Sequence, residues 1–309
     1  MSSTTVTPTP PPGPGPAPWR PVFGSWATAY KRTWRGSIFG RFLSPVLFLL
    51  SMGLGLGTLV NKSAGGVDGV PYLQFVVPGI LAAQAMWVAM GESSYPVFGA
   101  IRWNRKYHAM LAAPIGVDDI LLGHLTYVAT QITGATAIFM GVAALFGSFT
   151  SWWVLLALPI TVLTGMAFAV PVFAFSATQE TADGFNILFR FIMTPLFLFS
   201  GVFFPVDRLP DLLRPIAWVT PLWHGVEANR SLALGSPDFA GVLGNTAYLL
   251  VVIVVGALLA HRAFTRRLVE CSPQTRRRTR PPEGSPRTSH GSRRIWRVRG
   301  LRDSWSCVP

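Results

Sequence analysis

Three cations and four apolar side chains between residues 102 and 111 carry the most specific chemistry in this chain. On a helix, Trp103, Tyr107, Met110 and Leu111 share one face, Arg105 lies opposite, and Arg102 and Lys106 flank it. Pro114 ends the segment. A face of this kind makes and breaks no covalent bonds. It can seat in a groove of another protein and pass on a push, or lie in a membrane interface with its apolar side toward lipid.

Bond-making chemistry has no comparable candidate. The histidines at 108, 124, 224, 261 and 290 are too scattered for a metal site, and the two cysteines, Cys271 and Cys307, have no ligand spacing. There is no G-x-x-x-x-G-K-[ST] phosphate loop, no H-E-x-x-H and no G-x-S-x-G. The expectation is a chain with no catalytic residues, no bound cofactor and no metal.

The elements that must position the basic segment are apolar and long. Six stretches run roughly over Phe42–Val60, Tyr72–Gly91, Ile120–Phe146, Trp152–Ala177, Ile187–Phe204 and Val242–His261. About 20 apolar residues span about 30 Å as a helix. Half of the 309 residues are hydrophobic and 13% are charged, against about 25% in ordinary soluble domains. The fold class expected is an all-α polytopic membrane protein with six transmembrane helices.

The formal net charge of +13 is not spread along the chain. From Arg262 onward there are 13 arginines against three acids, a net of +10. This proline-, serine- and arginine-rich tail, 269–309, is expected to be disordered and to meet anionic lipid headgroups rather than nucleic acid. The proline-rich head, 1–20, is likewise expected to be disordered, with no signal-peptide core. A single transmembrane domain would then cover 21–268. Lys31, Arg32, Arg35 and Arg41 precede the first span, Arg102, Arg105 and Lys106 follow the second, and Arg262, Arg266 and Arg267 follow the sixth. By the positive-inside rule both termini are cytoplasmic. Glu180, Asp183 and Arg190 between spans four and five cast a weak opposite vote.

Three segments fit no span. Phe23, Trp26, Ala27, Tyr30 and Trp34 recur at helical spacing and predict an amphipathic helix on the cytoplasmic membrane surface, a plain anchor or a surface that also touches a partner. The loop Glu92–Asp119 holds the basic segment. Residues 203–234, cut by Pro205, Pro210, Pro215 and Pro221, are too polar to span and too apolar for a free loop, which predicts a broken hairpin dipping back from outside. Within the spans, Gln84, Gln131 and Arg190 are polar, but no buried carboxylate offers a proton relay. Pro45, Pro78, Pro159, Pro171 and Pro195 could still kink helices.

This order of segments resembles the membrane subunit of the type 2 class of ABC exporters. Residues 98–125, FGAIRWNRKYHAMLAAPIGVDDILLGHL, resemble that family's coupling region. Residues 197–235, FLFSGVFFPVDRLPDLLRPIAWVTPLWHGVEANRSLALG, resemble its signature before the last span. Within the family the chain looks most like nodulation lipo-oligosaccharide exporter permeases, then daunorubicin-type drug exporter permeases. The resemblance covers residues 20–268 and implies a permease without its own ATPase site, in a bacterial inner membrane. It implies pairing with a second permease chain, as a homodimer, and docking of two copies of a cytosolic ABC ATPase that binds ATP and Mg. The docking residues it implies are Glu92, Ile101, Arg102, Trp103, Arg105, Lys106, Tyr107 and Leu111. Gly201, Pro205, Pro210, Pro215, Trp218, Pro221 and Arg230 would shape an outer gate. The cargo would be an amphipathic drug, glycolipid or lipid-linked saccharide. The alternatives from residues alone are an ion-coupled secondary transporter, or a membrane enzyme or assembly factor.

Overall fold

The computed structural model describes residues 17–67, 69–235 and 238–270, so most of both charged or proline-rich ends, with Cys271 and Cys307, lies outside the described residues. The described chain is almost wholly helical. Helix α1 (Trp19–Leu50) passes without a break through a π-helical turn (Ser51–Gly57) into α2 (Thr58–Ala64). It starts two residues inside the head expected to be unstructured. Pro21 does not prevent this, because first-turn amides have no intrahelical acceptor to lose. The surface helix and first span expected as separate pieces are therefore one rod. An apolar stretch, Val46–Lys62, lies within it.

Next come α3 (Tyr72–Ser93), α4 (Tyr95–Arg102), α5 (Lys106–Met110), α6 (Val117–Leu145) and α7 (Val154–Thr178). Four helical stretches among the described residues are long and apolar enough to cross a membrane: Tyr72–Arg102, Val117–Leu145, Val154–Thr178 and Phe239–Val269. The fifth expected span takes a shorter form. Helix α8 (Asp183–Ile187), a π-helical turn (Leu188–Met193) and α9 (Thr194–Phe199) follow one another in pieces of five, six and six residues. Pro195, at the start of α9, brings no amide to the ladder there.

The rest is a hairpin and a closing helix. A 3₁₀ turn (Val206–Arg208), α10 (Arg214–Val219) and α11 (Pro221–Ala233) precede α12 (Phe239–Thr265), which ends in a π-helical turn (Arg266–Glu270). Helix α3 is central, with most of its residues buried, whereas α12 lies along α7 and buries only Leu249, Gly256, Ala260 and Phe264. Close approach relies on small residues, as membrane packing commonly does. A Cβ on Gly123 would sit 2.6 Å from Val22 Cβ and 2.7 Å from the Trp19 carbonyl, so α1 and α6 touch backbone to backbone there. On Gly225 it would sit 2.3 Å from Thr164 Oγ1, where α11 meets α7.

The helix directions gather Arg102, Arg105, Lys106, Arg262, Arg266 and Arg267 at one end of the bundle, here the basic end. The hairpin lies at the other.

Candidate functional site

The basic segment sits on a stalk, not a loop. Helix α3 runs past the expected end of its span and continues, with a kink at Ser94, into α4, where Pro96 occupies the first turn. Ser176 Oγ donates to the Ser93 carbonyl at 2.8 Å and fastens the kink to α7. Val97, Phe98, Ala100 and Ile101 turn inward, and Tyr95 and Phe98 pack on Phe185 at ring distances of 5.0 and 5.8 Å.

At residues 103–105 the helix stops. Trp103 folds back edge-on to Phe98 at 5.4 Å, over Gly99, where a Cβ would lie 3.0 Å from the indole. Its ring is still 64% exposed. Arg105 has φ +47°, the single positive-φ non-glycine among the described residues, and α5 starts immediately after it. The face expected to unite Trp103, Tyr107, Met110 and Leu111 is thus not formed, because the break rotates α5 away from α4.

Tyr107 instead enters a buried cluster. Its hydroxyl shares a 2.5 Å hydrogen bond with His124 Nδ1, and both side chains are fully enclosed. Trp26 stacks on His124 at 3.9 Å and 15°, and Lys106 Nζ lies 3.5 Å over the Trp26 ring. Phe173 meets His124 edge-on at 4.9 Å and Phe264 meets Tyr107 at 5.8 Å. The aromatic side of α1, expected at headgroup depth, therefore has Trp26 against protein, while Trp34 is exposed.

Burial beneath the indole lowers the Lys106 ammonium to about 8, and burial pushes the Tyr107 phenol well above its usual range. Burial first, then the Arg105 and Arg267 cations, lowers His108. Lys106 binds fewer protons folded than unfolded between about pH 8 and its ordinary pKa of 10.5. Its contribution to stability therefore rises as pH climbs through that window and is least favourable below it. In a pH series of melting temperatures, Lys106→Met is expected to remove that rise and leave the other pH dependences in place.

Around the stalk, Glu180 reaches Arg102 at 3.4 Å and Arg267 at 4.0 Å, and His261 Nδ1 lies 2.7 Å from Asp118. The Arg102 and His261 pairs are exposed and orient the surface more than they stabilise it, whereas the Arg267 side chain is largely enclosed and reaches Glu180 from the protein side. Of the residues expected to dock a partner, Arg102, Trp103 and Arg105 are exposed at the tip. Lys106, Leu111 and Glu92 are half-buried, and Ile101 and Tyr107 face inward. Glu92 also lies 11 residues before Trp103, about 16 Å along helical backbone.

At the opposite end α10 and α11 form a hairpin, of which α11 packs among α3, α7 and α12 while α10 stays largely exposed. Tyr248, ten residues into α12, donates to the Val219 carbonyl at its turn, and His224 stacks on Tyr248 at 3.8 Å. The turn thus lies about 15 Å along α12 from its start. Thr220 caps α11 by accepting from the Trp223 amide at 3.3 Å, with Pro221 as its first residue. Buried Asn229 donates to Thr161 Oγ1 at 2.9 Å.

Arg230 ties the hairpin to α3. It donates to the Gly201 carbonyl at 2.7 Å, lies 4.0 Å from the Phe75 ring centroid and pairs with Glu227 at 3.6 Å. Gly201 has φ +82° and is buried. The next residue, Val202, packs its carbonyl 2.9 Å from where a Gly79 Cβ would stand. Pro205 precedes the 3₁₀ turn, and Arg214 staples the loop through the Leu209 and Asp207 carbonyls at 3.0 and 2.7 Å. Pro215 starts α10, while Pro210 and Trp218 are exposed.

A bundle of membrane-length helices, with a cationic stalk at one end and a helical hairpin at the other, defines a polytopic helical membrane protein. The chain belongs to the ABC-2 type transporter family, which matches residues 23–234 and so includes both stalk and hairpin. It is 35% identical to Nodulation protein J of Rhizobium leguminosarum bv. viciae over 252 residues, 81% of this chain and 95% of that protein. It is also 35% identical to Nodulation protein J of Rhizobium meliloti (strain 1021), over 71% of this chain and 82% of that protein. To the inner membrane transport permease YadH of Escherichia coli (strain K12) it is 26% identical, over 78% of this chain and 93% of that protein.

Sequence reasoning did not single out His124, Trp26 and Glu180 for the places they hold. They lie far from residues 102–107 in the chain, and no local spacing signals a three-way contact.

Proposed function

We propose that this chain is the permease subunit of an ATP-driven exporter in a bacterial inner membrane. Two copies pair, each docks one cytosolic ABC ATPase, and the six apolar stretches all cross. The basic end faces the cytoplasm, consistent with its excess of arginine. The observation that carries the reading is the exposed Arg102–Trp103–Arg105 tip on a stalk continuous with the central helix α3. A cationic tip with an aromatic anchor suits a groove on an ATPase surface.

The hairpin of α10 and α11 serves as the outer gate. Its backbone irregularity at depth is tolerable only where protein or an aqueous path surrounds it. The cargo proposed for such a pathway is amphipathic, a drug, a glycolipid or a lipid-linked saccharide.

The test is co-expression with the cytosolic ABC ATPases of the same cell, one at a time. The purified permease alone is expected to hydrolyse no ATP, and the co-purified complex to hydrolyse it at a rate raised by cargo. A chain that binds no ATPase under any of these conditions contradicts the reading.

A further inference from the structure

We propose that Arg190, with Asn186 beside it, binds the phosphate of an anionic phospholipid in the cytoplasmic leaflet. The proposal rests on the reading that the fifth apolar stretch crosses the membrane with the basic end in the cytoplasm.

Arg190 lies in the π-helical turn Leu188–Met193, between α8 and α9. It is the single Arg or Lys within the six apolar stretches. It is exposed, and among the described residues it has no hydrogen bond, ion pair or ring partner. Arg102 and Arg267, by contrast, share Glu180. The chain around Arg190 is bare and apolar, with Ile187, Phe191, Ile192, Leu198 and Phe199 all exposed.

Position along the helix sets its depth. Asp183, the first residue of α8, follows three residues after Glu180, which marks the basic end. Arg190 is seven residues further, about 10 Å along the helix. A cation at that depth among lipid tails is costly unless an anion meets it. The long side chain can carry its charge back to the phosphate layer while the stem stays against acyl chains. Asn186, one turn nearer the basic end and also exposed, adds amide donors on that side. A guanidinium fork with an amide suits a phosphodiester, which has one charge and several acceptor lone pairs.

The backbone gives a second observation. Thr194 Oγ1 donates to the Phe189 carbonyl five residues back, at 3.0 Å, within a π register of the kind that concentrates at functional sites. Phe189 stacks on Trp87 of α3 at 6.3 Å, and Phe197 meets the same indole edge-on at 6.1 Å. These rings hold the segment to α3 and leave Arg190 on its outer surface. An identical permease copy is the competing occupant. None of the six apolar stretches contains Asp or Glu, so a copy has no carboxylate within its spans to meet this cation. A lipid phosphate does, and the basic end enriches anionic headgroups nearby.

The test titrates the full chain in detergent with dioleoylphosphatidylglycerol or dioleoylphosphatidylcholine and reads bound lipid by native mass spectrometry. The parent is expected to bind the anionic lipid at least ~10-fold more tightly, and Arg190→Gln to lose at least ~5-fold of that preference. Arg262→Gln, an exposed cation of the same end, is expected to change it by less than about twofold. Arg190 is exposed, so Arg190→Gln should keep the parent's melting temperature when no lipid is added. Anionic-lipid binding by Arg190→Gln equal to the parent's overturns the site. Displacement of the lipid by inorganic phosphate alone would make it a free-anion site and overturn it too. Orientation is read separately, on Ala109→Cys with Cys271→Ser and Cys307→Ser. Labelling of this exposed position from outside intact cells would contradict the topology, and with it the cytoplasmic leaflet, while the detergent titration does not depend on orientation.

Discussion

Alanine at Arg102, Trp103 and Arg105 together is expected to weaken association with the ATPase at least ~100-fold. The three side chains are the exposed tip of the stalk, and a truncated tryptophan or arginine at an interface centre commonly costs about 2 kcal/mol or more. The fold should survive. Trp103 is 64% exposed and packs on Phe98 alone among the described ring contacts, so the melting temperature should move little. Titration of detergent-solubilised permease with the ATPase reads the affinity directly. An affinity within about threefold of the parent would place docking elsewhere.

The second large effect is expected at the other end. Arg230 has a side chain only 12% exposed and holds the Gly201 carbonyl, the Phe75 ring and Glu227. In Arg230→Met the buried Gly201 carbonyl loses a charge-assisted partner, while Glu227, 46% exposed, loses a cation within reach of water. The expected cost is about 2 kcal/mol, nearly all of it from the carbonyl. Because Val202 is packed against α3 at Gly79, the loss should loosen the seat of the hairpin on the central helix. Export should fall at least ~10-fold, while ATPase binding at the distant stalk is kept. Thermal unfolding, export and binding measured on one preparation decide it. A variant with export near the parent's level would leave the hairpin no part in gating.

Much of the fold follows from patterns that a sequence displays. Apolar runs of membrane length are long-range in effect but local in cause, so α3, α6, α7 and α12 fall where the runs predict. The proline-cut hairpin was legible for the same reason: Pro215 and Pro221 each open a helix, and both are visible one residue at a time. The arginine-rich end was readable from charge counts alone.

What stayed hidden depends on contacts between distant residues. Tyr107 looks like part of an exposed amphipathic face because its helical spacing matches Trp103 and Leu111. Only the break at Arg105 and the arrival of His124 and Trp26 turn it inward. A left-handed arginine carries no sequence signal of the kind glycine gives. The same holds for α1, where aromatic spacing announces a helix face but not whether lipid or His124 covers it. The fifth span shows a third limit, since hydropathy registers apolar content and not the π turn that interrupts it.

The ion-coupled alternative makes an opposite energetic claim, because its work would come from a gradient through the spans. Purified permease and ATPase reconstituted in sealed vesicles, with a labelled amphipathic cargo, separate the two most directly. Movement of cargo is expected to require both ATP and the ATPase, and to continue when the proton gradient is collapsed. Steady transport by the permease alone, or transport that stops with the gradient while ATP is held constant, would contradict the account.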